Sequence, residues 1–481
     1  MKNSMIKKFA LLLVVVMVMT SMAIAVSADG ASDWSYWDGI TVDVTPFEGK
    51  DPKVDYDPAK GHTPIVIETA AQLAGLAKVV NESGQGGGQK GAYRSWPIYI
   101  TKNIDLDSYK FTPIGWGYNT AAFGGFLEGR LNGQEGVPVT IKNLFISEGN
   151  PVYTPSGLDG SKPGEKENVN NAFIPTLRNG GVMNLTFENA KVGHPNATGD
   201  CGIVVGYFSK NGSVFSGVTV KNSTLITGYG TGKSGGVIGQ LKNENIDLLK
   251  DVRAENLTLV TRITEDGEYA AERNVGGIVG TWESKMPLTF ENCYYSGKIV
   301  ALDTWATIEA DMYAGGFIGF TQAGQNLTFK NCEYAGALAY AGENREAAIS
   351  AFVGYHAGGE STVTIENGVV NGTCEALVGS DAAVKLNITN VTATSEIVAV
   401  KGGNGHTVTG ESTYNIPEPP ATEPPATEPQ PTQPAEPQPT EPQGGAEQPA
   451  PGGIQAWVVI VVGIVCLAAG AGIGMVFKKK Q

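Results

Sequence analysis

Val139–Asn143 reads VTIKN, Leu185–Asn189 LTFEN, Val218–Asn222 VTVKN and Val252–Asn256 VRAEN. The same pattern of apolar, any, apolar, any, Asn returns as Leu288–Asn292 (LTFEN), Leu327–Asn331 (LTFKN), Val363–Asn367 (VTIEN) and Leu386–Asn390 (LNITN). The spacings from Asn to Asn are 46, 33, 34, 36, 39, 36 and 23 residues. Each pentad alternates with period two, as a strand with one buried face does. Positions one, three and five are expected to point inward, and positions two and four outward. That puts Asn143, Asn189, Asn222, Asn256, Asn292, Asn331, Asn367 and Asn390 at the end of a buried face. A buried amide is costly unless its hydrogen bonds are met. Strands stacked in parallel at ~4.8 Å would let each Asn bond the copies above and below. The expectation is a solenoid in which every repeat lays one strand on the last, with one structural Asn ladder.

A second element lies between the pentads. It reads Gly202-Ile-Val-Val-Gly206, Gly236-Val-Ile-Gly239, Gly277-Ile-Val-Gly280 and Gly316-Phe-Ile-Gly319. Degenerate copies are Ala172–Pro175, Ala351-Phe-Val-Gly354 and Ala376-Leu-Val-Gly379. A first position restricted to Gly or Ala implies no room for a larger side chain. The last Gly implies either positive φ or a close backbone approach. This element resembles the GLUG motif (Gly-Leu-any-Gly) of bacterial surface proteins, whose expected fold is a parallel β-helix. The stretch around TAAQLAGLAKVVN, YITKNIDLDS, FTPIGWG and RLNGQEGVPVTIKNL resembles the opening module of secreted Firmicute and Bacteroidete repeat proteins. The His usual in the last part of that module is absent, and an insertion stands there. Some GLUG-bearing proteins are zinc peptidases, but this chain has no HExxH, so that activity is not carried over.

The termini speak to compartment. Met1–Lys8 holds three lysines, Phe9–Val26 is apolar, and Val26-Ser27-Ala28 offers small residues for cleavage: a secretory signal peptide over 1–28. Thr63–Glu68 is a short strand, and Thr69 to Gln72 a capping box opening a helix with Ala70, Leu73, Ala74, Ala77 and Val80 on one face. This helix is expected to cap the solenoid within an N-terminal region of 29–97. The β-helix is expected over 98–415, all-β, right-handed and of about eight rungs. Residues 416–453 are Pro-rich, a stalk able to extend ~3.1 Å per residue. Residues 454–477 carry no charge and are long enough to span a bilayer, and the basic tail 478–481 follows. The expected topology is a single-pass cell-surface protein with its N-terminus outside and its C-terminus in the cytoplasm.

Charge narrows the partners. The chain carries a net charge of −14, which argues against nucleic acid. The fourth pentad position runs Lys142, Glu188, Lys221, Glu255, Glu291, Lys330, Glu366, Thr389, expected as one outward column of ion pairs. Asp105 and Asp107 read as turn residues. Four cysteines are exported, Cys201, Cys293, Cys332 and Cys374, with free thiols favoured over a 293–332 bridge because in-register parallel neighbours point their Cβ atoms alike. No metal or cofactor motif is present, and no catalytic residue stands out. The polar insertions 196–200, 228–234, 264–274 and 301–313 all precede a Gly element, so they map to one side of the rod, the first place to look for a binding surface. The expected function is non-catalytic adhesion to a glycan or protein by a monomeric ectodomain. The alternatives are a polysaccharide lyase or hydrolase on the same fold and a purely structural envelope protein. Three adjacent rungs contributing carboxylates with raised pKa would favour the enzyme. A β-propeller fits poorly with such uneven spacings.

Overall fold

A computed structural model describes residues 42–410, except 85–90, 116–120, 147–170, 194–198, 210–213, 228–232, 243–245, 263–272, 285, 303–311, 341–346, 358–360, 381 and 403–404. These residues lie within the first of two compact units, Met1–Glu418. The expected signal peptide over 1–28, the Pro-rich segment 416–453, the apolar segment 454–477 and the basic tail 478–481 fall outside the described residues. Among the described residues no helix is long and apolar enough to cross a membrane.

The fold is all-β and built from three parallel sheets of 11, 13 and 11 strands. The chain visits the sheets in turn. One circuit runs from the third sheet (Ile238–Lys242) to the first (Leu248–Lys250), the second (Arg253–Arg262) and back to the third (Arg273–Gly276). Each strand pairs with its equivalent one circuit away, for example Leu288↔Leu327 and Leu327↔Val363. This is a parallel β-helix architecture. Inward positions stack into apolar columns, with Phe290 on Phe329 at 5.0 Å and Phe317 on Phe352 at 5.3 Å between ring centroids. Such stacked columns bury apolar area in every circuit, worth about 25 cal/mol per Å² removed from water.

The ladder begins before residue 98. Ile65–Ile67 pairs in parallel with Pro97–Ile100, so a first-sheet strand precedes the helix. The helix α1 spans Ala70–Glu82. Thr69 Oγ1 accepts from the Gln72 N–H (3.2 Å), and Gln72 Oε1 accepts in return from the Glu68 N–H (2.8 Å). Its buried side chains Leu73, Leu76, Ala77 and Val80 join the core that holds Ile65, Ile67 and Ile98. Asn81 ties it down further: its Nδ2 donates to the Pro113 carbonyl (3.0 Å) and its Oδ1 accepts from the Gly115 N–H (2.8 Å).

The Asn residues are not inward. All eight adopt left-handed backbone, with φ from 50° to 57°, and sit half-buried or exposed at corners between sheets. Asn tolerates this conformation better than other residues with a Cβ. The chain turns at the fifth position, and the period-two alternation ends one residue earlier than the pattern implies. The amides still form ladders, but on the outside. Asn331 Nδ2 donates to Asn292 Oδ1 (3.1 Å), Asn367 to Asn331 (3.0 Å) and Asn390 to Asn367 (3.1 Å).

Nor is there one ladder of eight. The first four pentads belong to the second sheet, pairing Val139↔Leu185, Thr186↔Thr219 and Thr219↔Arg253. The last four belong to the first sheet. Where the tracks change, Asn256 Nδ2 donates to Asn222 (3.0 Å), while Asn292 Nδ2 donates to Asp251 (3.1 Å) instead of to Asn256. Asp251 is itself left-handed, at φ 53°. Three circuits have two such corners five residues apart: Asn184 and Asn189, Gly217 and Asn222, Asp251 and Asn256; after Asn292 the second corner falls on Gly297 at φ 154°, and after Asn331, Asn367 and Asn390 only the first corner has positive φ. The pentad fits either one. The charged column is split likewise. Glu188 bridges Lys142 (3.5 Å) and Lys221 (3.3 Å) on the second sheet, and Lys250–Glu291 (2.9 Å) and Lys330–Glu366 (3.7 Å) lie on the first.

Candidate functional site: a glycine crease and its charged mouth

The third sheet is creased. The chain enters it on a short leading strand (Lys233–Gly235, Arg273–Gly276, Met312–Gly315) and bends. It leaves on a trailing strand (Ile238–Lys242, Val279–Trp282, Ile318–Thr321). The Gly element is the bend. A Cβ on Gly277 would lie 2.3 Å from the Tyr295 ring, and one on Gly316 2.2 Å from the Tyr334 ring. A Cβ on Gly236 would meet Leu257 at 2.2 Å, and one on Gly202 the Val205 carbonyl oxygen at 2.3 Å. The first glycine is therefore pressed on the core or on the bend itself.

The last glycine needs close approach rather than positive φ. Gly239, Gly280, Gly319, Gly354 and Gly379 have ordinary φ. A Cβ on Gly280 would stand 2.6 Å from the Ser234 backbone, and one on Gly319 2.5 Å from the Val275 nitrogen. On Gly354 it would stand 2.7 Å from Ala314, and on Gly239 2.7 Å from Cys201. Each trailing strand thus lies backbone to backbone on the leading strand of the preceding circuit. A Cβ on Gly379 would meet the Gly354 carbonyl at 2.0 Å, and Gly206 is buried at the equivalent point of its own strand.

Above the crease the side chains are mostly polar. The trailing strands align Thr176, Tyr207, Gln240, Thr281, Phe320 and Tyr355 in one column. Two residues further on, Arg178, Ser209 and Lys242 align, with Glu283 next in sequence after Trp282. On the leading side, the bridge Cys201↔Ser234 sets Asp200 beside Lys233. Lys233 Nζ reaches Glu283 at 2.7 Å and Lys242 Nζ reaches it at 3.3 Å, so one carboxylate is gripped by two ammoniums across the crease. Thr176, Arg178, Ser209, Gln240, Asn274 and Thr281 are all buried there. Among the described residues Ser209 Oγ, Asn274 Oδ1 and Thr281 Oγ1 have no hydrogen-bond partner. Buried polar atoms are seldom left so, and when they are the site needs a reason.

The electrostatics separate the two carboxyls. Burial pushes Asp200 up to about 7, against the pull of Lys233. Burial also works to raise Glu283, but the hydrogen bond and charge of Lys233, then of Lys242, outweigh it and hold that carboxyl below the usual range. Opposed shifts in neighbouring carboxyls are what acid–base chemistry and pH-dependent binding both use.

None of Asp200, Lys233, Lys242 or Glu283 stands among the residues that the repeat pattern marks. The available signal was their fixed phase: Asp200 and Lys233 precede Gly elements by two or three residues, and Glu283 follows one by three. Asp105 behaves as a turn residue: its Oδ1 accepts from the Asp107 N–H (2.9 Å) and from Asn143 Nδ2 (2.8 Å). Cys201, Cys293, Cys332 and Cys374 are free thiols. Burial raises Cys201 to about 12 and Cys374 to about 11, far from a reactive thiolate. Among the described residues no three His, Cys, Asp or Glu gather as metal ligands.

Neither a family model nor a curated protein sequence matches the chain. Among solved structures it is similar to a protein of Bacteroides ovatus provisionally named an immunoglobulin A1 protease, at 14% identity and a TM-score of 0.36, over 72% of this chain and 82% of that one.

Proposed function

We propose that the chain is a membrane-anchored, cell-surface binding protein. In this reading the stalk and the segment 454–477 hold a right-handed β-helical rod of the GLUG kind outside the cell, and the rod binds its ligand without chemistry. The observation that carries the proposal is the coincidence of two features on one flank. The long polar insertions all enter leading strands of the third sheet, and the mouth of the crease beside them gathers Asp200, Lys233, Lys242 and Glu283 from adjacent circuits. Convergent polar groups flanked by long loops are the usual make-up of a binding surface.

The opposed shifts of Asp200 and Glu283 favour a second reading, a polysaccharide-cleaving enzyme with Asp200 as proton donor and Glu283 as carboxylate. One experiment separates the two. The ectodomain, residues 29–415, is screened on immobilised glycans and matrix proteins while released reducing sugar is assayed. Binding that disappears in Lys233→Ala and Glu283→Ala, without sugar release, supports the binding protein. Sugar release abolished by Asp200→Asn supports the enzyme. No signal in either arm removes both readings and leaves a structural role.

A further inference from the structure

The crease changes character along the rod. In the first half its outer column carries Tyr207, Gln240 and Thr281; in the second it carries Phe320 and Tyr355. These two rings are only half-buried, on the outer side of the trailing strands. They stack on each other at 5.4 Å between centroids, with 7° between their planes. Parallel rings that far apart are offset like roof tiles, so part of each face stays uncovered. The next circuit supplies no ring. A bulge between Val353 and His356 sets Gly354 and Tyr355 opposite Gly379 alone, and Gly379 aligns in turn with Lys401. The Tyr355 face turned to that circuit therefore has a glycine beside it and not a side chain of the column. Lys401 Nζ pairs with the Glu375 carboxylate across the crease, as Lys233 does with Glu283 further back. The rings thus lie on a bed of ~14 Å, three circuits at ~4.8 Å, with a lysine–carboxylate bridge at each end.

We propose that this bed seats a neutral glycan chain lying along the rod. The inference rests on the reading of the crease as a binding surface and names what that surface binds. A pyranose ring has a C–H face that packs on an aromatic ring and a rim of hydroxyls that both donate and accept. The bed offers partners for both: rings in the middle, and at each end an ammonium that donates beside a carboxylate that accepts. A polyanion is disfavoured, because each bridge is balanced in charge and the chain carries −14 overall. An extended peptide is disfavoured as well. It would bind by adding a strand, and the strands that carry Phe320 and Tyr355 are already paired on both sides.

The test applies the full chain, in a detergent without a sugar head group, to an array of neutral, uronic-acid and sulfated oligosaccharides with immobilised collagen and fibronectin alongside. The strongest neutral binder is then titrated. Phe320→Ala and Tyr355→Ala should each weaken it by about tenfold, while Tyr355→Phe keeps the ring and should stay within about twofold. Lys401→Met, at the surface, leaves the fold intact whatever the alanine variants do, and should weaken the same glycan by about threefold. Thermal unfolding checks that each variant is folded. Neutral-glycan binding that is unchanged in Lys401→Met, or that survives both alanine variants, overturns the inference. Preference for sulfated or uronic-acid chains also overturns it. A protein ligand lost in Lys233→Ala and Glu283→Ala, with no glycan bound, overturns it and leaves the binding surface standing. Silence in every arm overturns both.

Discussion

The two halves of the rod use one motif in two places. Up to Asn256 the pentad forms strands of the second sheet and its Asn marks the second corner. From Leu288 onward it forms strands of the first sheet and marks the first corner. The difference teaches that the pentad encodes a corner rather than a sheet. Two left-handed corners five residues apart accept the same five-residue strand, so the conspicuous Asn can move between them without disturbing the core. A second contrast follows the same division. The inward column Leu177–Phe208–Leu241 of the third sheet continues as Trp282, Thr321, His356 and Ser380, all buried. The second half has exchanged part of its apolar core for polar groups.

The largest expected effect tests what the halves share. Gly280 joins them at the crease, and a Cβ there would meet the Gly239 carbonyl at 2.4 Å as well as Ser234. Gly280→Ala should cost about 3 kcal/mol, the upper end of overpacking, and denaturant unfolding will measure it. A loss under about 1 kcal/mol would mean that the crease is soft.

Corners come next. Asn331 donates to Asn292 and accepts from Asn367 while holding φ 52°. Asn331→Ala should lose about 2–3 kcal/mol, from the left-handed backbone and two hydrogen bonds. Asn331→Gly keeps the backbone and should lose about 1 kcal/mol. Equal losses from the two substitutions would show that backbone conformation contributes little to the corner.

Acid should then separate the halves in opposite directions. Burial lowers the affinity of His356 for a proton. Its stabilising effect is therefore complete above the unfolded value near 6.5 and is lost as pH falls below that value towards the lowered one. Asp200, in the first half, is raised to about 7 and costs stability as pH rises from about 4 to 7. Hydrogen exchange at pH 5 should loosen the circuits around His356 first, and His356→Gln should reduce the difference. Asp200→Asn should stabilise the first half at pH 8 by about 1–3 kcal/mol.

The smallest effect lies on the surface. Glu188→Gln breaks two ion pairs on the second sheet and Glu366→Gln breaks one on the first. Each should cost about 0.5 kcal/mol or less, and the losses should vanish in high salt.

Much of the fold was legible because repetition makes a weak signal strong. Any one LTFEN could be many things, but eight at similar spacing specify stacked strands. The tight backbone contacts of the crease were legible too, since only glycine tolerates them. The direction of Asn292 was misread because alternation says nothing of where a strand ends. Cys293 held the contrary signal: an inward Asn292 would make it outward, and it is buried. The two-track arrangement hid behind the ordinary 36-residue step from Asn256 to Asn292, which conceals a move of one strand. Asp200 and Lys233 fall within the insertions 196–200 and 228–234 that pointed to this flank, but their grouping with Glu283 was not legible, because it arises only when the chain folds back at the glycines, a proximity that no period in the sequence records.

The parallel stacking of whole circuits also decides how the rod would carry a load. The last described strand of the first sheet is Thr407–Thr409, at the end of the stack. A pull entering there does not shear the sheets. It peels them, because each strand is held only by its neighbour along the axis, and one circuit can come away before the next is strained. Such a rod yields by measured lengths and lengthens under tension, as a paid-out rope does, while the circuits behind it keep their shape.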